Sequence, residues 1–365
     1  MTHLYSILSS KPYASIRAEL SAVLEWGEGK PADPALILSQ PGWTLHEYDF
    51  ARGEALLLHP GEDIELFTAA FSYQRQVTTA RQMLRVPFET FIKLCDGLAP
   101  PQHFVHLFNI GHCGSTLLHQ VINEGGEAWS LSEPKYTVDL AINRHAATEV
   151  LLVALARAGL NFLSHLPHLK DRRALVLKHF SQATKIFDVW AKAAPSAANL
   201  FMYREAISWC NSRYGFLQRR GLPFVPTPEG RRSRWQQMSV GTAPAFLEGV
   251  VDLDSDATRF VDLAAASWCQ MIGEYQAATS SMPMTPIRYD HLLADPVQNL
   301  RRLFAACQLS PDLAEKAQAA FAKDSHEGEL SSRSRPVEKF NAADNARILE
   351  ILSHPKFNLD PKIEL

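Results

Sequence analysis

The segment Phe104-Val-His-Leu-Phe-Asn-Ile-Gly111-His112-Cys113-Gly114-Ser115-Thr116-Leu-Leu118 constrains this chain more than any other. An apolar run of strand character enters two glycines three positions apart and leaves through a Ser-Thr pair that opens an amphipathic helix. Such a turn aims several backbone N–H groups at one point off the helix N-terminus, which suits one tetrahedral anion. Gly111 and Gly114 permit the turn, and Ser115 and Thr116 add hydroxyl donors. The spacing is not GxxxxGK[ST]: no lysine precedes the hydroxyl pair and the loop is shorter, which demotes a nucleoside triphosphatase. A strand-to-helix turn with a capping serine also occurs in α/β proteins that bind nothing there, so the surrounding chain must decide.

Around this segment the pattern alternates. Short apolar runs at 104–110, 128–131, 174–177, 200–203 and 285–289 read as buried parallel strands. Helices are expected at 115–123, 258–279 and 296–307, the last capped by Asp295 with Pro296 in its first turn. The fold class expected is therefore α/β, a parallel sheet with helices on both faces. Residues 1–100 read as a small α+β appendage: an amphipathic helix over 12–26 from Ile16, Leu20, Val23 and Leu24, then two strands over 43–50 and 55–58 around a turn. Pro100-Pro101 closes it, and 101–365 forms the α/β domain.

A second segment, Asn199-Leu-Phe-Met-Tyr-Arg204, ends an apolar strand in an arginine, with Ser212 eight residues on. With the loop, this pair resembles the sulfotransferase family that uses 3′-phosphoadenosine 5′-phosphosulfate (PAPS), of the P-loop superfamily and closest to its bacterial-type small-molecule branch. The resemblance spans roughly residues 104–336. It implies that the turn 111–116 (Gly111, His112, Cys113, Gly114, Ser115, Thr116) grips the 5′-phosphosulfate, and that Arg204 and Ser212 grip the 3′-phosphate. Ala174-Leu-Val-Leu-Lys178-His179 resembles the strand that delivers a lysine beside the sulfuryl group, and Ile287-Arg288-Tyr289-Asp290 through Asp295-Pro296 resembles the late strand-to-helix segment. Glu133 falls seventeen residues past Thr116, close to where tyrosylprotein sulfotransferases place a catalytic carboxylate. Arg333 and Arg335 occupy the late position where the family closes a basic loop over the nucleotide. The family loop usually carries a lysine or arginine where this chain has His112. Cytosolic members carry a catalytic histidine where this chain has Phe180.

Sulfuryl transfer asks for an acceptor in line with the breaking S–O bond, a base for its proton, and stabilisation of charge on the sulfuryl and departing phosphate oxygens. Lys178, Thr116 and the loop amides are the candidates for charge. For the base, Glu133 ranks above His179 and His112, because it stands at the carboxyl end of a strand, where open α/β sheets bind their ligands. The arginines at 219, 220, 231, 232 and 234 lie in a stretch that resembles a mobile loop over the active site, although such runs are more often a solvated face.

With 36 Lys and Arg against 39 Asp and Glu, the net charge of −3 leaves no footprint for nucleic acid. The most apolar stretch, 150–160, is interrupted by Arg157 and too short to span a bilayer. Five dispersed cysteines without a CxxC pair suggest neither disulfides nor a metal knuckle and fit a reducing cytoplasm. The expectation is thus a cytoplasmic enzyme, without a metal, that converts PAPS to adenosine 3′,5′-bisphosphate (PAP) and sulfates a hydroxyl or amine acceptor. The acceptor and the oligomeric state are not legible. The rival readings are a P-loop small-molecule kinase, which needs Mg²⁺ ligands and a loop lysine, and a non-catalytic nucleotide-binding remnant of the same fold.

Overall fold

Residues 104–109 are buried at every position, so this strand has both faces covered and needs no polar alternation. The computed structural model, which describes residues 1–61, 65–99, 103–166, 172–239, 244–323 and 337–359, makes it the centre of a parallel sheet. The strands are β1 (His3–Ser10), β2 (Leu24–Trp26), β3 (Lys30–Pro31), β4 (Thr44–Asp49), β5 (Glu54–His59), β6 (Gln82–Pro87), β7 (Phe104–Asn109), β8 (Ala128–Ser132), β9 (Ala174–Lys178), β10 (Ala198–Tyr203) and β11 (Thr285–Arg288). The helices are α1 (Leu36–Ser39), α2 (Ser72–Thr79), α3 (Phe88–Asp96), α4 (Ser115–Gly125), α5 (Tyr136–Ile142), α6 (Glu149–Ser164), α7 (Phe187–Ala193), α8 (Ala206–Arg219), α9 (Pro228–Ser239), α10 (Phe260–Ala278), α11 (Tyr289–Ala294), α12 (Pro296–Ala306), α13 (Ala314–Ala317) and α14 (Ala342–Leu352).

The sheet runs β11-β10-β7-β9-β8, and every neighbouring pair is parallel. This is the α/β architecture read from the sequence, with each expected strand present within two residues. After β9 the chain crosses from one side of β7 to the other to form β10, so a crevice opens at the carboxyl ends beside β7. Asp295 caps α12 by accepting from the Gln298 amide at 3.2 Å, with Pro296 in the first turn.

The N-terminal residues build a second, antiparallel sheet in the order β2-β1-β6-β5-β4, with β3 on β1. Trp43, Leu45, Tyr48, Leu57, Leu84 and Val86 join the same core as Tyr136, Leu140, Leu152 and Leu155. Tyr13, Leu20, Val23 and Leu24 cover the opposite face over Leu56, Leu58 and Met83.

The expected helix over 12–26 is therefore corrected. Only Leu20–Ala22 turns, as a short 3-10 helix, and Leu24–Trp26 pairs antiparallel with β1. Its apolar residues do face inward, but onto a sheet whose edge strand needs hydrogen-bond partners, and that demand outweighs helical spacing. The arginine-rich stretch is corrected as well: residues 228–239 are helix α9, and Arg231 is wholly buried, donating to the carbonyls of Leu253 (2.6 Å) and Pro226 (2.8 Å). Arg232 pairs with Asp254. Pro100 and Pro101 lie outside the described residues.

Candidate functional site

The turn after β7 is left-handed at three positions: Gly111 (φ 66°), His112 (φ 50°) and Gly114 (φ 89°). Left-handed backbone costs a side-chain-bearing residue about 1–2 kcal/mol, so His112 is held there by its surroundings. Asn109 does part of this, accepting from the Gly111 amide at 2.8 Å while donating to the His179 carbonyl at 2.6 Å. Trp209 of α8 donates its indole N–H to the Gly111 carbonyl at 2.7 Å, and the His112 ring packs on Phe216 of the same helix, centroids 4.7 Å apart. Cys113 is buried, its Sγ 3.3 Å from the Met202 carbonyl, and burial pushes its thiol up to about 11. A Cβ on Gly114 would stand 2.3 Å from the Tyr289 ring, so only glycine fits. Ser115 and Thr116, both buried, open α4.

On the next strand, Arg204 follows β10 directly. Glu205 caps α8 by accepting from the Ile207 and Ser208 amides, both at 2.8 Å, so it is not spent on an ion pair with its neighbour. Arg204 donates Nε–H to the Ser208 hydroxyl at 2.7 Å, and its guanidinium lies 4.9 Å from the Tyr289 ring centroid. Tyr289 therefore lies against both Gly114 and Arg204 and ties the turn after β7 to the end of β10. Ser212 is partly buried one turn beyond Ser208 on the same helix face. The sequence reading missed Ser208, although its spacing of four from Arg204 was a usable signal.

On the other side of β7, the ends of β8 and β9 deliver a lysine and a carboxylate. Glu133 follows β8 with φ 54° and donates its amide to the Lys178 carbonyl at 2.8 Å. The Lys178 ammonium, fully buried, meets Glu133 Oε1 and the Ser132 hydroxyl (3.3 Å), while the Glu133 side chain keeps 16% of its surface exposed. Burial raises the Cys113 thiol and lowers His119 of α4, and the positive charge of Lys178 opposes the first shift and adds to the second. Phe71 lies 6.0 Å from the Lys178 ammonium, and Tyr73 packs on Phe180 at 5.4 Å.

His179 turns away from this group. It is wholly buried, bonded to His106 at 2.8 Å, stacked on Phe108 at 4.6 Å, and burial holds its imidazole well below the usual value. A neutral ring sealed in the core has no path for an acceptor proton, so the place given it among the catalytic candidates is withdrawn. Arg333 and Arg335 lie outside the described residues.

Two residues past Glu133, Lys135 sits buried between Glu47 of β4 (2.9 Å) and Asp139 of α5 (2.8 Å). Asp139 also accepts from the Tyr48 amide at 3.0 Å. Burial, with Glu47 adding to it, raises the Asp139 carboxyl to about 6 despite the opposing lysine. No sequence motif announced this triad. Among the described residues no group of three or more His, Cys, Asp or Glu is placed to hold a metal ion, and no helix is long and apolar enough to cross a membrane.

No family model and no curated protein matches the chain. Among solved structures it is similar to a sulfotransferase from Alicyclobacillus acidocaldarius, at 14% identity and a TM-score of 0.40 over 71% of this chain and 99% of that one. It is also similar to mouse sulfotransferase SULT7A1 complexed with PAP, at 14% identity and a TM-score of 0.37 over 72% and 86% of the two chains. A third is the sulfotransferase domain from the curacin biosynthetic pathway, at 14% and 0.35 over 70% and 98%.

Proposed function

We propose that this chain is a PAPS-dependent sulfotransferase. The observation that carries the reading is the row of groups at the carboxyl ends of four adjacent parallel strands: Arg204 after β10, the left-handed turn after β7, Lys178 ending β9 and Glu133 after β8. One end of the row offers a guanidinium with the Ser208 and Ser212 hydroxyls to a phosphate. The middle offers loop amides, Ser115 and Thr116 to a phosphosulfate at a helix N-terminus. The far end offers a cation and a base.

In the reaction an acceptor hydroxyl or amine attacks sulfur, its proton passes to Glu133, and the S–O bond to the 5′-phosphate breaks. The electron pair leaves on that phosphate oxygen, giving PAP. Lys178 stabilises the charge that gathers on the bridging and sulfuryl oxygens, which is where fixed donors contribute most. Phe71, Tyr73 and Phe180, beside Lys178, offer an apolar wall to the acceptor. This gives residues 1–100 a part in acceptor recognition. Five buried free thiols agree with a reducing cytoplasm.

Calorimetry with PAP against ATP and Mg²⁺ tests the reading. PAP binding without ATP binding supports it, and the reverse favours a kinase. Turnover of labelled PAPS with a hydroxyl library then separates an enzyme from a binding remnant.

A further inference from the structure

Arg213 sits one turn beyond Trp209 on α8, its guanidinium 5.6 Å from that ring centroid. Its Nε is sealed from solvent, and the guanidinium has no hydrogen-bond partner among the described residues. Among the described residues no carboxylate offsets it. Its charged neighbour is Arg234 of α9, and burial together with that like charge lowers its pKa to about 10. Arg234 is itself partly buried and donates only to neutral oxygens, those of Gln237 and Pro223, both at 3.2 Å. Two partly buried guanidinium groups side by side, one of them without a hydrogen-bond partner among the described residues, are costly unless a counter-charge arrives from outside.

The pair lies beside the proposed reaction centre. Trp209, Arg213, Phe216 and Arg220 follow one another along one face of α8. Trp209 bonds the Gly111 carbonyl, and Phe216 lies between the His112 ring at 4.7 Å and the Arg220 guanidinium at 5.4 Å. Arg204, Ser208 and Ser212 occupy the adjacent face, already assigned to the nucleotide. We infer that Arg213 and Arg234 form a second anion subsite, which takes a carboxylate, phosphate or sulfate group carried by the acceptor. The inference rests on the sulfotransferase reading for the identity of that ligand, and on the unpaired guanidinium for the existence of the subsite.

The test titrates inorganic phosphate into full-length protein saturated with PAP, for wild type, Arg213→Gln, Arg213→Lys and Arg234→Gln. Wild type binds phosphate, and Arg213→Gln weakens that binding about tenfold or more, the loss typical of a charge-assisted hydrogen bond. Arg213→Lys falls between, PAP affinity stays within about twofold, and ligand-free Arg213→Gln melts above wild type because an uncompensated charge has gone. Arg234→Gln repeats the comparison should Arg213→Gln fail to fold. Phosphate binding that is equal in wild type and Arg213→Gln overturns the subsite. A loss of PAP affinity as deep as that of Arg204→Ala also overturns it, by giving the guanidinium to the nucleotide, and a lowered melting temperature does so by making it a structural staple. If wild type binds no PAP, the functional reading fails separately, and the same phosphate titration on ligand-free protein still decides the subsite.

Discussion

The Lys178 ammonium, fully buried, meets the carboxylate of Glu133, a residue whose backbone is left-handed and whose side chain still reaches solvent. One partner is thus fixed inside the protein while the other faces whatever binds. Glu133→Gln keeps an oxygen for Lys178 but cannot take a proton at neutral pH, so turnover should fall roughly 10²–10⁴-fold with PAP affinity unchanged. Glu133→Ala is the poorer test, since a buried lysine stripped of its partner costs about 3–5 kcal/mol of stability. Steady-state rates with labelled PAPS, beside PAP calorimetry, check this. Full turnover in Glu133→Gln would remove the carboxylate from the base's role.

Arg204→Ala should weaken PAP by about 1.5–3 kcal/mol and leave adenosine 5′-monophosphate, which lacks the 3′-phosphate, nearly unaffected. Ser208→Ala and Ser212→Ala should each cost less, because a neutral hydroxyl gives a weaker bond. Equal losses for both nucleotides in Arg204→Ala would move the arginine off the 3′-phosphate.

Gly114→Ala meets two separate penalties, the left-handed backbone and the Tyr289 ring at 2.3 Å. Stability should drop by at least about 2 kcal/mol. Adding Tyr289→Ala should return only the steric share and should itself loosen PAP, since Arg204 loses its aromatic platform. Denaturant melts of the single and double variants separate the two contributions; a Gly114→Ala protein as stable as wild type would contradict the geometry.

Four histidines, His46, His106, His119 and His179, are wholly buried, and burial lowers all of them, His46 to about 4 and His106 and His119 to about 3. A base depressed on folding binds its proton more readily when unfolded, so stability is present above pH 6.5 and is lost as pH falls toward the folded values. Asp139, raised to about 6 by burial first, acts in the opposite sense between pH 3.8 and 6 and offsets one of the four. Near pH 5 the net slope is about 4 kcal/mol per pH unit for three protons. Denaturant unfolding at pH 7, 6 and 5 should show a steep acid loss, which His119→Gln flattens by about a quarter to a third. Stability that is level from pH 7 to 5 would refute it.

The parallel sheet was legible because four of its five strands are largely buried runs bounded by helix and turn signals, and only β11 is exposed over its first half. Lys178 and His179 show where legibility stopped. They are adjacent at a strand end, and successive side chains of a strand point to opposite faces, so only one could join Glu133. The other went to His106. Ser208 was hidden by attention to spacing along the chain rather than around the helix. The strand at 24–26 was hidden because Leu20, Val23 and Leu24 suit a helix and a sheet cover equally well, and only β1's open edge decides between them. Arg231 looked like a surface charge, yet it is buried to satisfy two carbonyls that no local pattern announced.

The Glu47, Lys135 and Asp139 triad sets a rule for anyone who would transplant the acceptor specificity proposed for the N-terminal segment. Glu47 comes from the N-terminal sheet, whereas its lysine stands two residues from Glu133. A graft that exchanges the N-terminal segment without a carboxylate at position 47 would leave Lys135 with Asp139 alone and change the charge balance two residues along the chain from Glu133. Exchanges of specificity and losses of rate would then travel together, and a failed chimera would be misread as a poor acceptor pocket. The safe unit of exchange carries all three residues.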